Sequence, residues 1–290
     1  MLFTVSYLRG AREAMYAYAR SRYSSRMNLI RPLLILITSI ALWGCGDSEP
    51  LQVNNWRIDT GHNLTQPIKV LHISDIHYQE DTGPAVMAEL ADIAGATQPD
   101  IIALTGDYTG EDLATTDRIR PIIIDGLERL SEGLRAYVTL GNHEAYTDPN
   151  RWIRSFSDSS MRFIEGQSEI INIRGVDVCI RGLGDAFSGR YRHVPFSQDC
   201  TGIKLTLTHD PYAVQSDPEN GVYLAGHLHA GQWNLPLVGP LWMPTKASEE
   251  YWVGYGSDGD KQWITSSGVG TTFIDVRIGT TASVELIELY

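Results

Sequence analysis

The chain has 290 residues, with 23 Lys and Arg against 35 Asp and Glu, a formal net charge of −12. At 43% apolar and 20% charged residues it is neither disordered nor collagen-like, and three cysteines are too few for a disulfide-dense scaffold. The acidic balance lacks the basic footprint of a nucleic-acid binder, so no binding to nucleic-acid duplexes is expected.

The first segment stands apart. Residues 1–44 hold six Arg, no Lys and a single acid, Glu13. Arg31 opens an uncharged run that passes through Leu42-Trp43-Gly44-Cys45 and ends at Asp47. The run is shorter than the roughly 20 apolar residues that span a bilayer. A basic flank, a short apolar stretch and a small residue before a cut point read as a secretory signal. Residues 27–44 are read as a lipoprotein-type signal peptide, and residues 1–26 as a leader or a mis-assigned start ahead of Met27. Leu42-Trp43-Gly44-Cys45 resembles the bacterial lipobox, with Trp43 where a smaller residue is usual. The resemblance implies that Cys45 becomes the lipidated first residue. Cleavage there leaves 246 residues at −17. The expected location is the cell envelope, membrane-anchored and periplasm-facing, or the cytoplasmic side of the membrane if the signal reading fails. Cys179 and Cys200 then remain, as a bridge or as two buried thiols.

Residues 45–66 read as a tether with one strand near Leu51–Ile58. Ile68 to Ser74 is a short apolar run, a buried strand. Ala85 to Ala96 has helical spacing with Pro84 near its start. Asp100 to Thr105 is a second strand, Thr115 to Leu130 a helix interrupted by Pro121 and Gly126, and Arg135 to Leu140 a third strand. Strand–helix–strand–helix–strand implies a parallel sheet built from right-handed crossovers. The second half is strand-rich, at 170–173, 176–181, 203–209, 222–225 and 283–288. The fold class is α/β, with two packed mixed β-sheets flanked by helices, and residues 67–290 are read as one domain.

Five polar motifs each follow one of these runs: Asp75-Ile76-His77, Gly106-Asp107-Tyr108, Gly141-Asn142-His143-Glu144, Thr208-His209-Asp210 and Gly226-His227-Leu228-His229. Carboxyl ends of strands form the ligand crevice of open α/β sheets. Imidazole with carboxylate suits Zn, Mn or Fe, and the lack of Cys in the motifs argues against a thiolate zinc site. An extended backbone would point the two ligands of D-x-H and of H-x-H to one side.

Together these motifs resemble the calcineurin-like metallophosphoesterases over roughly residues 67–290. The run Gly226-His227-Leu228-His229-Ala230-Gly231-Gln232 is similar to the G-H-x-H-G-G-Q of membrane-associated bacterial phosphodiesterase-type members, with Ala230 in place of Gly. Leu235-Pro236, Gly239-Pro240-Leu241 and Ser267-Gly268-Val269-Gly270-Thr271 also look like that branch. The resemblance implies a four-layer sandwich and two divalent metal ions. Asp75, His77 and His229 would hold the first, Asn142, His209 and His227 the second, and Asp107 both. It implies His143 as the catalytic residue at the phosphate, oriented by Glu144 and with less weight by Asp210. A hydroxide bridging the metals would attack phosphorus. Gly110 stands where purple acid phosphatases carry a metal-binding Tyr, which disfavours that variant.

The expected substrate is a phosphate ester, read as a diester, with phospholipids and nucleotides as candidates. The alternatives are phosphomonoester hydrolysis, a UDP-diacylglucosamine-type pyrophosphohydrolase, and a lipid-anchored binding protein without turnover. Outside the motifs, His62 and His72 read as structural and His193 as part of a solvated loop. Tyr108 is a candidate for the site wall. Trp233, Trp242 and Trp252 read as packing, or as an apolar wall for a lipid or nucleoside.

Overall fold

The computed structural model describes residues 50–290. The signal segment, Met27 and Cys45 lie outside the described residues.

β1 (Gln52–Ile58), β2 (Ile68–Ile73), β3 (Ile101–Leu104), β4 (Arg135–Val138), β5 (Arg162–Phe163) and β14 (Ser283–Leu289) form one sheet, in the order β1-β14-β2-β3-β4-β5. A second sheet holds β6 (Ser168–Ile173), β7 (Val176–Gly182), β8 (Ile203–Leu207), β9 (Gly221–Ala225), β12 (Gly254–Asp258) and β13 (Lys261–Thr265), ordered β12-β13-β9-β8-β7-β6. A small hairpin, β10 (Asn234–Leu235) with β11 (Gly239–Pro240), stands apart from both.

The crossovers are helical, as the periodicity predicts. α1 (Gly83–Thr97) begins at a proline and ends on Gln98 in the left-handed region, whose N–H bonds Ala94 O. α2 (Leu113–Leu130) is capped by Asp112, which accepts from the N–H groups of Ala114 and Thr115. Ile119, Ile123, Leu127 and Leu130 form its buried stripe, and the helix runs on through Pro121.

Three apolar cores separate four layers. Leu71, Leu90, Ile119 and Trp152 belong to the core between helices and first sheet. Val70, Ile101, Val178, Leu205 and Ile264 fill the space between the sheets. Ala213, Val214, Tyr223 and Trp263 cover the outer face of the second sheet, with α5 (Pro211–Ser216) and the short 3₁₀ turn Glu249–Tyr251. Continuous apolar runs such as Ile101–Leu104, buried at every position, suit strands covered on both faces.

Strand direction places the site. β2, β3 and β4 are parallel, as are β7, β8, β9 and β13. The motif loops follow the carboxyl ends of these strands and meet along one rim. β14 runs antiparallel to β2, and β1 parallel to β14. The amino-terminal ends of β1 and β14 therefore also lie at that rim.

Three features lay outside the periodicity. α3 (Asn142–Thr147) begins within the third motif, and α4 (Pro149–Ser157) follows it, its N-cap Asp148 accepting from Asn150 and Arg151. Asp148-Pro149 is itself a helix-start signal. Strands β12 and β13 pair across Gly259-Asp260, a two-residue hairpin turn with Gly259 at positive φ. Cys179 and Cys200 are joined in a disulfide that closes the excursion between β7 and β8. No helix among the described residues is long and apolar enough to cross a membrane.

Candidate metal centre

All seven residues expected to hold metal lie buried. Asp75, His77 and His229 form one group, and Asp107, His209 and His227 another, each with ligand atoms within 4.8 Å of one another. The remaining ligand, Asn142, reaches the second group, with Oδ1 3.2 Å from His209 Nε2. His77, Asp107 and His143 form a third group that ties the other two together.

The backbone reaches this arrangement by strain rather than extension. Asp75, His77, Asp107, His227 and His229 all have positive φ, between 44° and 73°. Non-glycine residues rarely adopt this region, and such positions persist only where surrounding structure holds them. The expectation that D-x-H and H-x-H are extended is thus corrected: left-handed turns aim both side chains inward. Glycine is required where loops touch. A Cβ on Gly141 would collide with Asp107 Oδ1, and one on Gly226 with Ser74 Oγ.

Backbone carbonyls set the imidazole tautomers. A carbonyl oxygen only accepts, so the ring nitrogen facing it carries the proton. His209 Nδ1 donates to Thr105 O at 2.7 Å, His229 Nδ1 to Gly270 O at 3.1 Å, and His227 Nε2 to Pro244 O at 2.9 Å. In the neutral rings the opposite nitrogens face the centre with a lone pair. His209 Nε2 faces Asp107 Oδ2 at 3.1 Å, and His229 Nε2 faces Asp75 Oδ1 at 3.4 Å and His77 Nε2 at 3.1 Å. Lone pairs facing carboxylates repel unless positive charge lies between them.

Titration carries the same sign. Burial pushes His209 down, yet the adjacent Asp107 carboxylate outweighs it and holds the imidazole well above its usual range, so positive charge, a proton or a metal ion, is favoured between His209 Nε2 and Asp107. Burial acts against ionisation of Asp107, but His209 and His143 hold that carboxyl well below its usual range. Burial and then Arg277 push His229 down to about 3, and burial with His229 and His143 holds His77 low, which keeps both as neutral ligands. Neutral imidazole and carboxylate are the donor forms that divalent cations take. The residues thus fit two such ions.

Glu144, Asp210 and Tyr108 depart from the expected roles. Glu144 does not grip His143: its carboxylate accepts the N–H groups of Asp107, Tyr108 and Gly141 at 2.8 to 2.9 Å. It pins the two loops that carry Asp107 and Asn142. Burial and then the Asp107 charge push Glu144 up to about 8, against its N–H donors. Cations at Asp107 would relieve the second of these effects. Asp210 caps α5 at Tyr212 N and accepts from Thr245 Oγ1 at 2.6 Å. Tyr108 is core, its hydroxyl on Thr139 O and its ring against Trp152 and Phe156. His72 is buried on Thr105 Oγ1, and His193 bonds Asp217. A side chain at Gly110 would press on His77 Nδ1, so the position has no room for tyrosine.

His143 differs from the ligands. Its side chain is 27% exposed, its Nε2 lies 3.9 Å from Asp107 Oδ2, and its ring stands edge-on to His77 at 4.9 Å. Its backbone N–H donates to Asp107 Oδ1 at 2.9 Å. Phe187 packs on the ring of His227 at 4.6 Å, a wall that no local motif announced. The tautomer-setting carbonyls are likewise invisible in sequence, because every residue carries one.

Comparison with known proteins agrees with this geometry. The profile of the calcineurin-like phosphoesterases matches residues 68–231, which span the motifs from β2 to the final His pair. The chain is 26% identical over 228 residues to phosphodiesterase YaeI of Escherichia coli (strain K12), covering 77% of this chain and 82% of that one. It is 27% identical over 259 residues to YkoQ of Bacillus subtilis (strain 168), an uncharacterized metallophosphoesterase, covering 84% and 92%. A dimetal phosphatase from Danio rerio superposes at a TM-score of 0.44 with 13% identity, covering 70% of this chain and 88% of that one. The chain belongs to the calcineurin-like phosphoesterases, hydrolases of phosphoric esters that use two divalent metal ions.

Proposed function

We propose that this enzyme hydrolyses phosphodiesters at the cell envelope, on the periplasmic side, tethered through a lipidated Cys45. The observation that carries the chemistry is the set of three imidazoles, each with one ring nitrogen bonded to a backbone carbonyl and the other turned towards Asp75 or Asp107. Asp75, His77 and His229 would hold one ion and Asn142, His209 and His227 the other, with Asp107 shared. When bound, the ions supply Lewis-acid polarisation of phosphoryl oxygens and bring the pKa of water towards about 7.

The chain's own residues do the rest. His143 is the half-exposed imidazole at the rim, placed to hold a phosphoryl oxygen through Nε2 and to deliver a proton to the leaving alkoxide. Glu144 keeps the Asp107 and Asn142 loops in register through three backbone N–H groups. No side-chain nucleophile is required.

Diester chemistry is supported by the name of the Escherichia coli relative. The Cys179–Cys200 bridge supports an oxidising compartment, as does the lipobox-like sequence before Cys45. Substrate candidates are phospholipids and periplasmic nucleotides. Metal analysis of the purified chain, with paired assays on a soluble diester, a monoester and a phospholipid, tests the reading. Diester turnover exceeding monoester turnover is expected. A preference for the monoester would replace it with a phosphatase.

A further inference from the structure

Eight of the fourteen large apolar side chains exposed among the described residues fall in two short segments. The β10–β11 hairpin and its exit carry Leu237, Val238, Leu241 and Trp242. The loop before β14 carries Phe273, Ile274, Val276 and Ile278. The segments form one ledge: Trp242 and Phe273 rings lie 5.9 Å apart, Trp233 Nε1 donates to Val276 O, and Asn234 N donates to Ile278 O.

The tips are held out at a conformational cost. Leu237 is fully exposed and Phe273 is 76% exposed, and both have positive φ, 65° and 63°. Bulky residues avoid that region, and glycine or asparagine is the ordinary occupant. Apolar side chains presented to water from strained turns mark a contact surface.

The ledge is joined to the metal rim. Gln232, three residues after His229, receives Thr272 N and donates to Thr272 O and Ile274 O. Arg277 turns inward onto the carbonyls of Ser267, Gly268 and Gly270, the last of which also holds His229. From Ala230 to Thr245 there is no ionisable side chain, in a chain of net charge −12.

We propose that the ledge is a membrane-docking surface that enters the headgroup–acyl boundary of a lipid bilayer and holds the metal rim against it. Loop tips bearing Trp, Phe, Leu and Ile suit that boundary, where tryptophan is enriched, and their one exposed charge, Asp275, accepts from Thr271 Oγ1. The route of the chain supports a bilayer over a protein partner. Gln52 N bonds Ala282 O, so the polypeptide enters the domain beside the segment that leaves the ledge. Five residues lie between Cys45 and Leu51, a reach of at most roughly 20 Å. This argument rests on the anchor reading of Cys45, and the two are separable by experiment.

The test uses the full chain, produced with its own leader and reconstituted into phosphatidylethanolamine–phosphatidylglycerol vesicles, with and without acyl-brominated lipid. Tryptophan quenching is read for the wild type, Trp242→Phe, and the double variant Leu237→Asp/Phe273→Asp. Docking predicts a quenched component that both variants lose, with turnover of a soluble diester unchanged. Equal quenching in the wild type and Trp242→Phe, or in the wild type and the double variant, overturns it. An unquenched wild type whose sedimentation shows a dimer broken by the double variant also overturns it, and assigns the ledge to a second copy. Mass analysis of Cys45 stands apart: an unmodified Cys45 with Trp242 quenching intact removes the anchor and leaves docking in place.

Discussion

Arg181 and Asp217 lie as deep in the protein as Asp75 and Asp107, yet the two clusters are built in opposite ways. Around Arg181 the chain provides its own cation and satisfies it. The guanidinium donates to Thr206 Oγ1, Val194 O, Asp217 Oδ1 and Tyr223 OH, at 2.5 to 2.9 Å. Asp217 accepts further from Tyr191 and His193. At the rim, two carboxylates face several imidazole nitrogens, and the guanidinium of Arg277 is turned onto backbone carbonyls. Buried charge is tolerated only when paired. One cluster is complete as folded, and the other is completed by ions from outside. Removing a partner should therefore cost stability in the first and chemistry in the second.

The largest effect is expected at the shared carboxylate. Asp107→Asn should lower turnover of a soluble diester by about 10³-fold or more, because both ions lose a ligand. Near-wild-type turnover in that variant would show the site to be misassigned. Next comes the complete cluster. Arg181→Ala strands Asp217 without its cation, and a loss of about 3–5 kcal/mol is expected, read by chemical denaturation. Metal content at low temperature should not change. If Arg181→Ala instead released metal, the two clusters would be coupled rather than independent.

The disulfide is the next probe. Replacing Cys179 and Cys200 by Ser should cost about 3 kcal/mol through loop entropy, with little effect on turnover. Glu144→Gln replaces one accepting oxygen by an NH2 donor facing N–H donors and loosens two ligand loops. It should reduce activity or metal affinity by about 10–100-fold, recovered in part by excess metal. Acid gives the smallest effect. Burial opposes ionisation of Asp217, but hydrogen bonds from Arg181, His193 and Tyr223 outweigh it and hold its pKa at about 2. A depressed carboxyl stabilises the fold above its ordinary pKa of 3.8, and that contribution is lost as pH falls towards about 2. Asp217→Asn should flatten that part of the acid-unfolding curve.

The rim was legible in sequence because apolar runs such as Ile101–Leu104 end abruptly at Gly-Asp and Gly-Asn pairs. Run length and polar termination locate strand ends, and strand ends locate ligands. What escaped depends on backbone or on distance. Left-handed φ at Asp75 and His229 has no signature, because Asp and His are not glycine. Glu144 was read as a partner for its neighbour His143, although its carboxylate folds back to bind N–H groups 36 and 37 residues earlier. Arg181 and Asp217 are 36 residues apart and share no motif. Tyr108 follows a ligand candidate and is nevertheless core, its hydroxyl bonded to Thr139 O and its ring against Trp152 and Phe156.

The rim has no Lys or Arg paired with Asp75 or Asp107 among the described residues, and two metal ions are expected to complete it. Elemental analysis of the purified full chain and of Asp107→Asn, each dialysed against chelator and re-titrated with Mn, Zn or Fe, measures this directly. The account predicts two ions per wild-type chain and fewer than two in Asp107→Asn, with turnover returning as the second site fills. One ion or none in the wild type, or two ions held equally well by Asp107→Asn, would contradict it.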